Sequence, residues 1–166
     1  VPQEHGFSNL VYLCRPQSRG LITLKSSSPN DAPLMFPNYI SAEQDLIDTR
    51  NGLREAHRVF MQPAFDEYRG RELKPGKDIN INSDDELDAW IRETGETLYH
   101  PVGTCKMGID ELSVTNEHGQ VNGMRSLRVV DASLMPSLIA GNTNAPTIMM
   151  AEKISDHING KAFLSD

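Results

Sequence analysis

Apolar side chains return at helical spacing in one stretch of the first hundred residues. These positions are Leu46, Leu53, Ala56 and Phe60. They predict a helix with one apolar face, and Ser41 followed three residues later by Gln44 has the spacing of a capping box at its start. Gly52 lies inside this helix at a cost of about 1 kcal/mol relative to alanine. Pro63 ends the helix or begins a short successor.

A second capping box predicts the next helix. Ser83 precedes Glu86 by three residues, and apolar positions follow at Leu87 and Ile91. The Ser83 hydroxyl can accept a hydrogen bond from an amide of the first turn that has no partner within the helix. We expect this helix to end at about Gly95.

A third helix is predicted near the end of the sequence, from about Ala145 to Ile158. Pro146 falls in its first turn, where the missing N–H costs little. Gly160 lies just beyond the last turn, in the position where glycine commonly ends a helix.

Short apolar segments predict strands. Residues Phe7–Cys14 and Leu21–Lys25 are predicted as two strands, and Leu127–Val130 as a third that ends at Asp131. Residues Ser26–Asn38 contain three prolines and predict a loop. Together the elements indicate an α+β fold, with packed helices on an antiparallel sheet and a further strand and helix near the C-terminus.

Composition narrows the class of protein. The chain has 166 residues, 38% of them hydrophobic, which is enough for one domain with a core and a second small lobe. Its formal net charge of −7 argues against nucleic acid as a partner. No apolar run approaches the roughly 18 residues of a membrane-spanning helix, and no signal segment is visible at the N-terminus, so we expect a soluble chain. The expected location is cytoplasmic.

The two cysteines also narrow the class. Cys14 and Cys105 form no CxxC pair and lack the spaced ligands of a metal site, so no metal is predicted. Two thiols in a chain of this size fit a reducing compartment, and a disulfide between them stays open.

His100 is the strongest candidate for chemistry. It lies in the run Tyr99–Gly108, where Pro101 fixes one backbone angle and Gly103 allows close approach to a ligand. A neutral imidazole can accept a proton from a substrate hydroxyl, so His100 is a candidate general base. The alternative is a structural hydrogen-bonding role.

Three further polar residues have two interpretations each. The amide of Asn142 can orient a hydroxyl or stabilise a developing alkoxide, and Asn144 can contact a ligand. Both could instead cap the last helix. Asp131 could accept hydrogen bonds from ligand hydroxyls or cap its own turn. Surface or packing roles are predicted for the remaining histidines, His5, His57, His118 and His157.

Several separated motifs resemble one enzyme family. They are Ser18-Arg19-Gly20, the run Tyr68–Glu72, the run Tyr99–Gly108, the segment Leu127–Pro136 and the segment Gly141–Thr147. In this order they resemble the C-terminal region of the glucose–methanol–choline (GMC) family of FAD-dependent oxidoreductases, and most of all its choline dehydrogenase branch. The resemblance covers about residues 5 to 160.

The resemblance implies roles for particular residues. His100 would be the catalytic base near the flavin N5, and Asn142 would be its partner. The residues implied to contact FAD are Val102, Asp131, Ala132, Asn144, Pro146 and Thr147. In fold terms, residues 1–98 would be part of the substrate-binding lobe and residues 99–166 the C-terminal part of the FAD-binding lobe.

One departure from the family is large. The Gly-x-Gly-x-x-Gly turn that binds the ADP part of FAD is absent from this sequence. We therefore expect that the N-terminal FAD-binding portion is missing and that the chain is the C-terminal third of a longer enzyme. The chain alone is expected to be inactive and to hold little or no FAD.

The resemblance implies the oxidation of a primary alcohol, with choline preferred, to its aldehyde by hydride transfer to the flavin. The partners would be a small alcohol and an electron acceptor such as a quinone, and any membrane association would be peripheral, at the inner face. The alternative from another class is a non-catalytic half-domain that binds a partner or forms a homodimer through an exposed apolar patch.

Overall fold

The computed structural model describes residues 5–161, which contain three α-helices and a two-stranded antiparallel sheet. The predicted α+β class is confirmed. The described residues divide into two compact units, one made of residues 5–20 and 37–98, the other of residues 21–36 and 99–161.

Two helices form the core of the first unit. Helix α1 spans Glu43–Phe60 and helix α2 spans Asp84–Thr94. Leu46 from α1 packs with Leu87 and Ile91 from α2, and all three are buried. The predicted apolar spacing of both helices therefore marks the faces that meet.

Ion pairs join the same two helices. Arg50 Nη1 on α1 lies 2.9 Å from both carboxylate oxygens of Asp88, and Arg54 Nη2 lies 2.6 Å from Asp84 Oδ1. The hydrogen bond from Arg54, with Arg50 nearby, lowers the pKa of the Asp84 carboxyl. These ion pairs add to the apolar contacts that join α1 and α2.

The predicted start of α1 was wrong by one residue. The N-cap is Ala42, which has no capping side chain, and the Ser41 hydroxyl instead accepts a hydrogen bond from the Asn38 amide at 3.1 Å. The reason is a contact from a distant part of the chain. The Ser18 hydroxyl accepts from the Ala42 N–H at 3.0 Å, while Asp45 in the first turn binds back to Ser18.

The predicted start of α2 is confirmed. Ser83 Oγ accepts a hydrogen bond from the Glu86 N–H at 3.3 Å, and acidic residues fill the first turn. Gly95 caps the C-terminal end, as the sequence indicated.

Ser83→Ala should lower the free energy of unfolding of the first unit by about 1 kcal/mol, because the cap of α2 is lost. Amide hydrogen exchange in the first turn of α2 measures this effect. Ser41→Ala is the matched control, since Ser41 caps no helix, and it should change exchange in α1 by much less. Equal effects of the two substitutions would contradict the assignment of the caps.

The strand predicted over Phe7–Cys14 is wrong. Within the described residues this segment has no strand partner and forms no regular secondary structure. Its side chains pack against α1 instead: Phe7 meets Phe60 edge-on with ring centroids 5.1 Å apart, and Val11 lies over Gly52. A Cβ at Gly52 would come within 2.6 Å of Val11 Cγ1, which explains why glycine occupies the middle of this helix.

The sheet is a small hairpin. Strand β1, Leu21–Thr23, pairs with strand β2, Leu34–Phe36, in antiparallel register with Leu21 opposite Phe36. The first strand is shorter than predicted. The second strand lies in the segment Ser26–Asn38, which was predicted as a loop. It was missed because its three apolar residues stand between two prolines, which are typical of loops. All six strand residues are exposed.

The strand predicted over Leu127–Val130 is also wrong. Only an isolated bridge between Arg128 and Gln120 forms there, and a φ of 58° at Ser126 interrupts the extended chain just before it. Asp131 is followed by a 3-10 turn, Ala132–Leu134.

Helix α3 spans Asn144–Ile158 and confirms the third predicted helix within one residue. Pro146 lies in its first turn, and Gly160 follows with a φ of 67° that favours glycine. Ile154 is the buried residue of this helix.

Candidate functional site

The loop Tyr99–Gly108 is held by backbone hydrogen bonds to the turn that follows Asp131. The Cys105 N–H donates to the Ser133 carbonyl at 3.1 Å, and the Met107 N–H donates to the Leu134 carbonyl at 2.9 Å. Backbone bonds of this kind fix the loop without using its side chains. They hold the part of the loop five to seven residues after His100, whereas His100 itself is held through its side chain, as described below.

Two unusual backbone angles flank His100. Tyr99 has a φ of 63°, which is rare for an aromatic residue, and Gly103 has a φ of 86°. A Cβ at Gly103 would lie 3.3 Å from the Met135 carbonyl, so the loop passes close to the buried segment behind it. Such conformations concentrate at functional sites, where the surrounding structure holds them in place.

His100 is half-buried and makes one side-chain hydrogen bond among the described residues. Its Nδ1 lies 3.0 Å from Thr143 Oγ1. Thr143 is the N-cap residue of α3 and is only 8% exposed. The bond therefore ties the imidazole to the start of the last helix.

Asn142 directly precedes Thr143, so it is adjacent in sequence to the residue that contacts His100. The capping alternative for Asn142 and Asn144 is not what the structure shows, because Thr143 is the N-cap and Asn144 is the first helical residue. Between residues 5 and 161 neither amide side chain makes a hydrogen bond. Both amides are exposed and available to a ligand, although that role stays a prediction.

Asp131 has the capping role that the sequence left open. Its Oδ1 accepts hydrogen bonds from the Ser133 N–H and the Ser133 hydroxyl, and this closes the 3-10 turn that begins at Ala132. Asp131 is nevertheless exposed, and its role towards a ligand remains a prediction.

The predicted site residues outside the loop Tyr99–Gly108 fall into two groups, and each group lies next to a different part of that loop. Asp131 and Ala132 lie at the turn that holds Cys105 and Met107. The other group lies at the start of α3, near His100: Asn142, Asn144, Pro146 and Thr147. Val102 lies between the two attachments and is half-buried. No hydrogen bond in the described part of the chain links the two groups directly.

The charged side chain of the loop is directed to a local partner. Lys106 Nζ lies 2.8 Å from both carboxylate oxygens of Asp110. Hydrogen bonds from Lys106 and from the Leu112 N–H lower the pKa of Asp110. Lys106 is thus engaged away from His100.

The start of α3 has the features of a surface that could hold a planar, partly anionic cofactor. The first amides of a helix lack intrahelical acceptors and favour negative charge. The unengaged amides of Asn142 and Asn144 add polar groups, and a Cβ at Gly141 would meet nothing within 4 Å. These residues fit the reactive part of a cofactor such as FAD, whereas no glycine-rich turn for the ADP part occurs in the sequence.

Two histidines that the sequence treated separately are brought together. The rings of His118 and His157 stack with centroids 3.9 Å apart and planes 4° from parallel. They line a small cavity with Lys153 and Ile154. The packing role predicted for each is present, but the pairing depends on how α3 lies against the turn around Gly119 and has no local signal in the sequence.

Cys14 and Cys105 are free thiols, so the disulfide that the sequence left open does not form. Within residues 5–161 no three His, Cys, Asp or Glu side chains cluster in a way that could hold a metal ion. None of the helices described is both long enough and apolar enough to cross a bilayer.

Comparison with a family model gives a match over most of the chain. Residues 16–151 match the model described as GMC oxidoreductase.

Curated relatives are similar over nearly the whole chain. An oxygen-dependent choline dehydrogenase from Pseudomonas savastanoi pv. phaseolicola is 51% identical over 159 residues, which cover 96% of this chain and 28% of the relative. One from Yersinia pseudotuberculosis is 51% identical over 158 residues, which cover 95% of this chain and 28% of the relative. The chain thus spans a little over a quarter of the length of these relatives.

Solved structures show the same fold. Pyridoxine 4-oxidase from Mesorbium loti superposes with a TM-score of 0.82 at 30% identity, covering 90% of this chain and 29% of that one. A formate oxidase from Aspergillus oryzae, studied for its FAD modification, superposes with a TM-score of 0.81 at 28% identity. The superposition covers 89% of this chain and 26% of that one.

Proposed function

Because the chain belongs to the GMC oxidoreductase family, we propose that it supplies the catalytic residues of a FAD-dependent dehydrogenase that oxidises a primary alcohol to its aldehyde. The observation that supports this most directly is the hydrogen bond between His100 and Thr143, which brings the imidazole to the residue next to Asn142. A candidate base and a candidate oxygen-binding amide then share one site.

In the proposed reaction His100 accepts the proton of the substrate hydroxyl. Its Nδ1 is engaged by Thr143, so the other ring nitrogen, Nε2, is the one that receives the proton. The Asn142 amide donates a hydrogen bond to the substrate oxygen, which gains negative charge as the proton leaves. The carbon–oxygen double bond of the aldehyde forms as hydride leaves the alcohol carbon.

The departing hydride needs a two-electron acceptor, and this is the chemistry that bound FAD supplies. The residues that would hold it are Val102, Asp131 and Ala132, together with Asn144, Pro146 and Thr147 at the start of α3. We assign residues 99–166 to the FAD-binding lobe and residues 1–98 to the substrate-binding lobe. The ADP part would be bound by a glycine-rich turn elsewhere in the full-length protein.

Choline is the proposed substrate, with betaine aldehyde as product, because the curated relatives carry that activity in their names. We propose that the electrons pass on to an acceptor such as a quinone. Since the same relatives are called oxygen-dependent, oxygen is the competing acceptor. Any association with a membrane would be peripheral.

The exposed apolar hairpin favours a second candidate, a non-catalytic module that binds a partner or a second copy. Strands β1 and β2 expose every residue, among them Leu21, Met35 and Phe36. An exposed apolar surface of this kind is typical of interaction sites. A dehydrogenase more than three times as long would also leave such a surface uncovered when this chain is considered alone, so we favour the enzyme.

The full-length protein should contain close to one flavin per chain and should reduce an electron-accepting dye when choline is added. The measurement is flavin absorbance together with dye reduction and oxygen consumption, over a panel of primary alcohols that includes choline. The isolated 166-residue chain is the control and should hold little flavin. A full-length protein with neither flavin nor alcohol-dependent reduction would contradict the proposal and support the binding module.

A further inference from the structure

Thr143 holds His100 from a position that is itself firmly fixed. Thr143 is buried, with 8% of the residue exposed, and its Oγ1 lies 3.0 Å from His100 Nδ1. Its carbonyl accepts from the Thr147 N–H at 3.1 Å and from the Thr147 hydroxyl at 2.7 Å. Backbone and side chain are thus tied to the first turn of α3 and to the imidazole together.

The Thr143 hydroxyl does not perform the task usual for its position. An N-cap threonine commonly accepts a hydrogen bond from an amide of the first turn, but no such bond forms here. The hydroxyl is directed to His100 instead. Because the Thr143 backbone is already helical (φ −82°, ψ −10°) and not extended as in a capping residue, its hydroxyl is left for the contact with the imidazole.

We propose that Thr143 is a positioning residue that holds the imidazole of His100 at Nδ1, with the ring in the tautomer that carries its proton on Nδ1. In this arrangement the Nδ1–H of His100 donates to Thr143 Oγ1, and Nε2 carries a lone pair. The inference rests on the proposed function, because it gives His100 the protonation state that a base for the substrate hydroxyl needs.

The direction of the hydrogen bond decides whether His100 can act. If the Thr143 hydroxyl donated to Nδ1, the neutral ring would carry its proton on Nε2 and could not accept another there. With Nδ1–H as donor, the bond persists after Nε2 takes the substrate proton. The imidazole then gains and releases that proton without turning.

Thr143→Val in the full-length holoenzyme keeps the shape of the side chain and removes the hydroxyl. We expect kcat to fall about 10- to 100-fold with little change in KM, because substrate binding does not depend on the tautomer whereas proton transfer does. The profile of kcat against pH should also change on its acid side. Thr143→Ser should restore most of the activity, since serine keeps the oxygen.

Thr49→Val is the matched control. Thr49 is a half-buried threonine of α1 whose hydroxyl donates to a backbone carbonyl at 2.7 Å, and it lies in the other compact unit. Its substitution should leave kcat and the pH profile as in the unsubstituted enzyme.

The tautomer itself can be observed in the unsubstituted enzyme. With histidine labelled in 15N, two-bond proton–nitrogen correlations distinguish a protonated Nδ1 from a protonated Nε2, and the spectrum of His100→Gln assigns the signal. A neutral His100 with its proton on Nδ1 supports the inference. A proton on Nε2, or a Thr143→Val enzyme with unchanged kcat and pH profile, overturns it.

These outcomes separate the inference from the function on which it rests. If His100→Gln abolishes turnover while Thr143→Val does not alter it, the positioning role is wrong and the proposed function stands. If His100→Gln leaves turnover unchanged, the proposed function is wrong.

Discussion

Replacing His100 by glutamine in the full-length flavoprotein should lower the turnover of the alcohol by about 10²- to 10⁴-fold, the usual contribution of a general base. Glutamine is polar and of similar length, but it cannot accept a proton at neutral pH. Flavin content should be unchanged, because the loop is held by backbone bonds at Cys105 and Met107 that the substitution leaves intact. Steady-state dye reduction with a spectrum of the bound flavin measures both quantities.

The loss of turnover in His100→Gln should become smaller as the pH is raised. A larger fraction of the alcohol is then ionised before hydride transfer and needs no base. His57→Gln is the control, since His57 lies in α1 and has no part in the proposed site; it should leave turnover unchanged. If His100→Gln turned over the alcohol as fast as the unsubstituted enzyme, the imidazole would not be the catalytic base.

The helices could be predicted because their signals are local. The Ser83–Glu86 capping box and the apolar spacing after it involve neighbours in sequence, and the structure reproduces them. The start of α1 failed for the opposite reason. Ser18, more than twenty residues earlier, binds the Ala42 amide and replaces the cap that Ser41 was expected to provide.

The strands were predicted poorly because a strand needs a partner that the sequence does not name. The apolar residues of Phe7–Cys14 pack on α1 and pair with nothing, whereas the short segment Leu34–Phe36 finds β1 and becomes a strand. The same apolar pattern is found in strands that pair in a sheet and in segments that pack on a helix, so the pattern alone does not distinguish the two structures.

The candidate site was predicted in part. His100 and Asn142 came from their residue types and motifs, and the structure brings Asn142 to the neighbourhood of the imidazole through Thr143. Thr143 itself was missed, because threonine at a helix start is ordinarily a cap and its contact with His100 joins residues far apart in sequence. The stacking of His118 on His157 was missed for the same reason.

Asp45→Asn should be the most destabilising single change in the first unit among those considered. Asp45 is 2% exposed, and its carboxylate accepts from the Gln17 N–H and the Ser18 N–H, each at 2.7 Å, and from the Ser18 hydroxyl. Asparagine has the same shape, but its NH2 group would face one of these donors. We expect the opening free energy of this segment to fall by about 3 kcal/mol, which accelerates amide exchange at Gln17 and Ser18 about 100-fold.

The pH dependence of the same amides gives an independent test of the carboxylate. Burial of Asp45 acts to raise its pKa, but the hydrogen bonds from Gln17 and Ser18, with the charge of Arg19, outweigh burial and hold the pKa below its ordinary value. Because the pKa is lower in the folded than in the unfolded chain, the stabilisation is complete above an unfolded value of about 3.9 and is lost as the pH falls through the folded value. In Asp45→Asn this loss on acidification should disappear. Asp48→Asn, an exposed carboxylate of the same helix, should keep both the slow exchange and its loss in acid. If exchange at Gln17 and Ser18 were the same in both variants, the carboxylate would not be what holds this segment against α1.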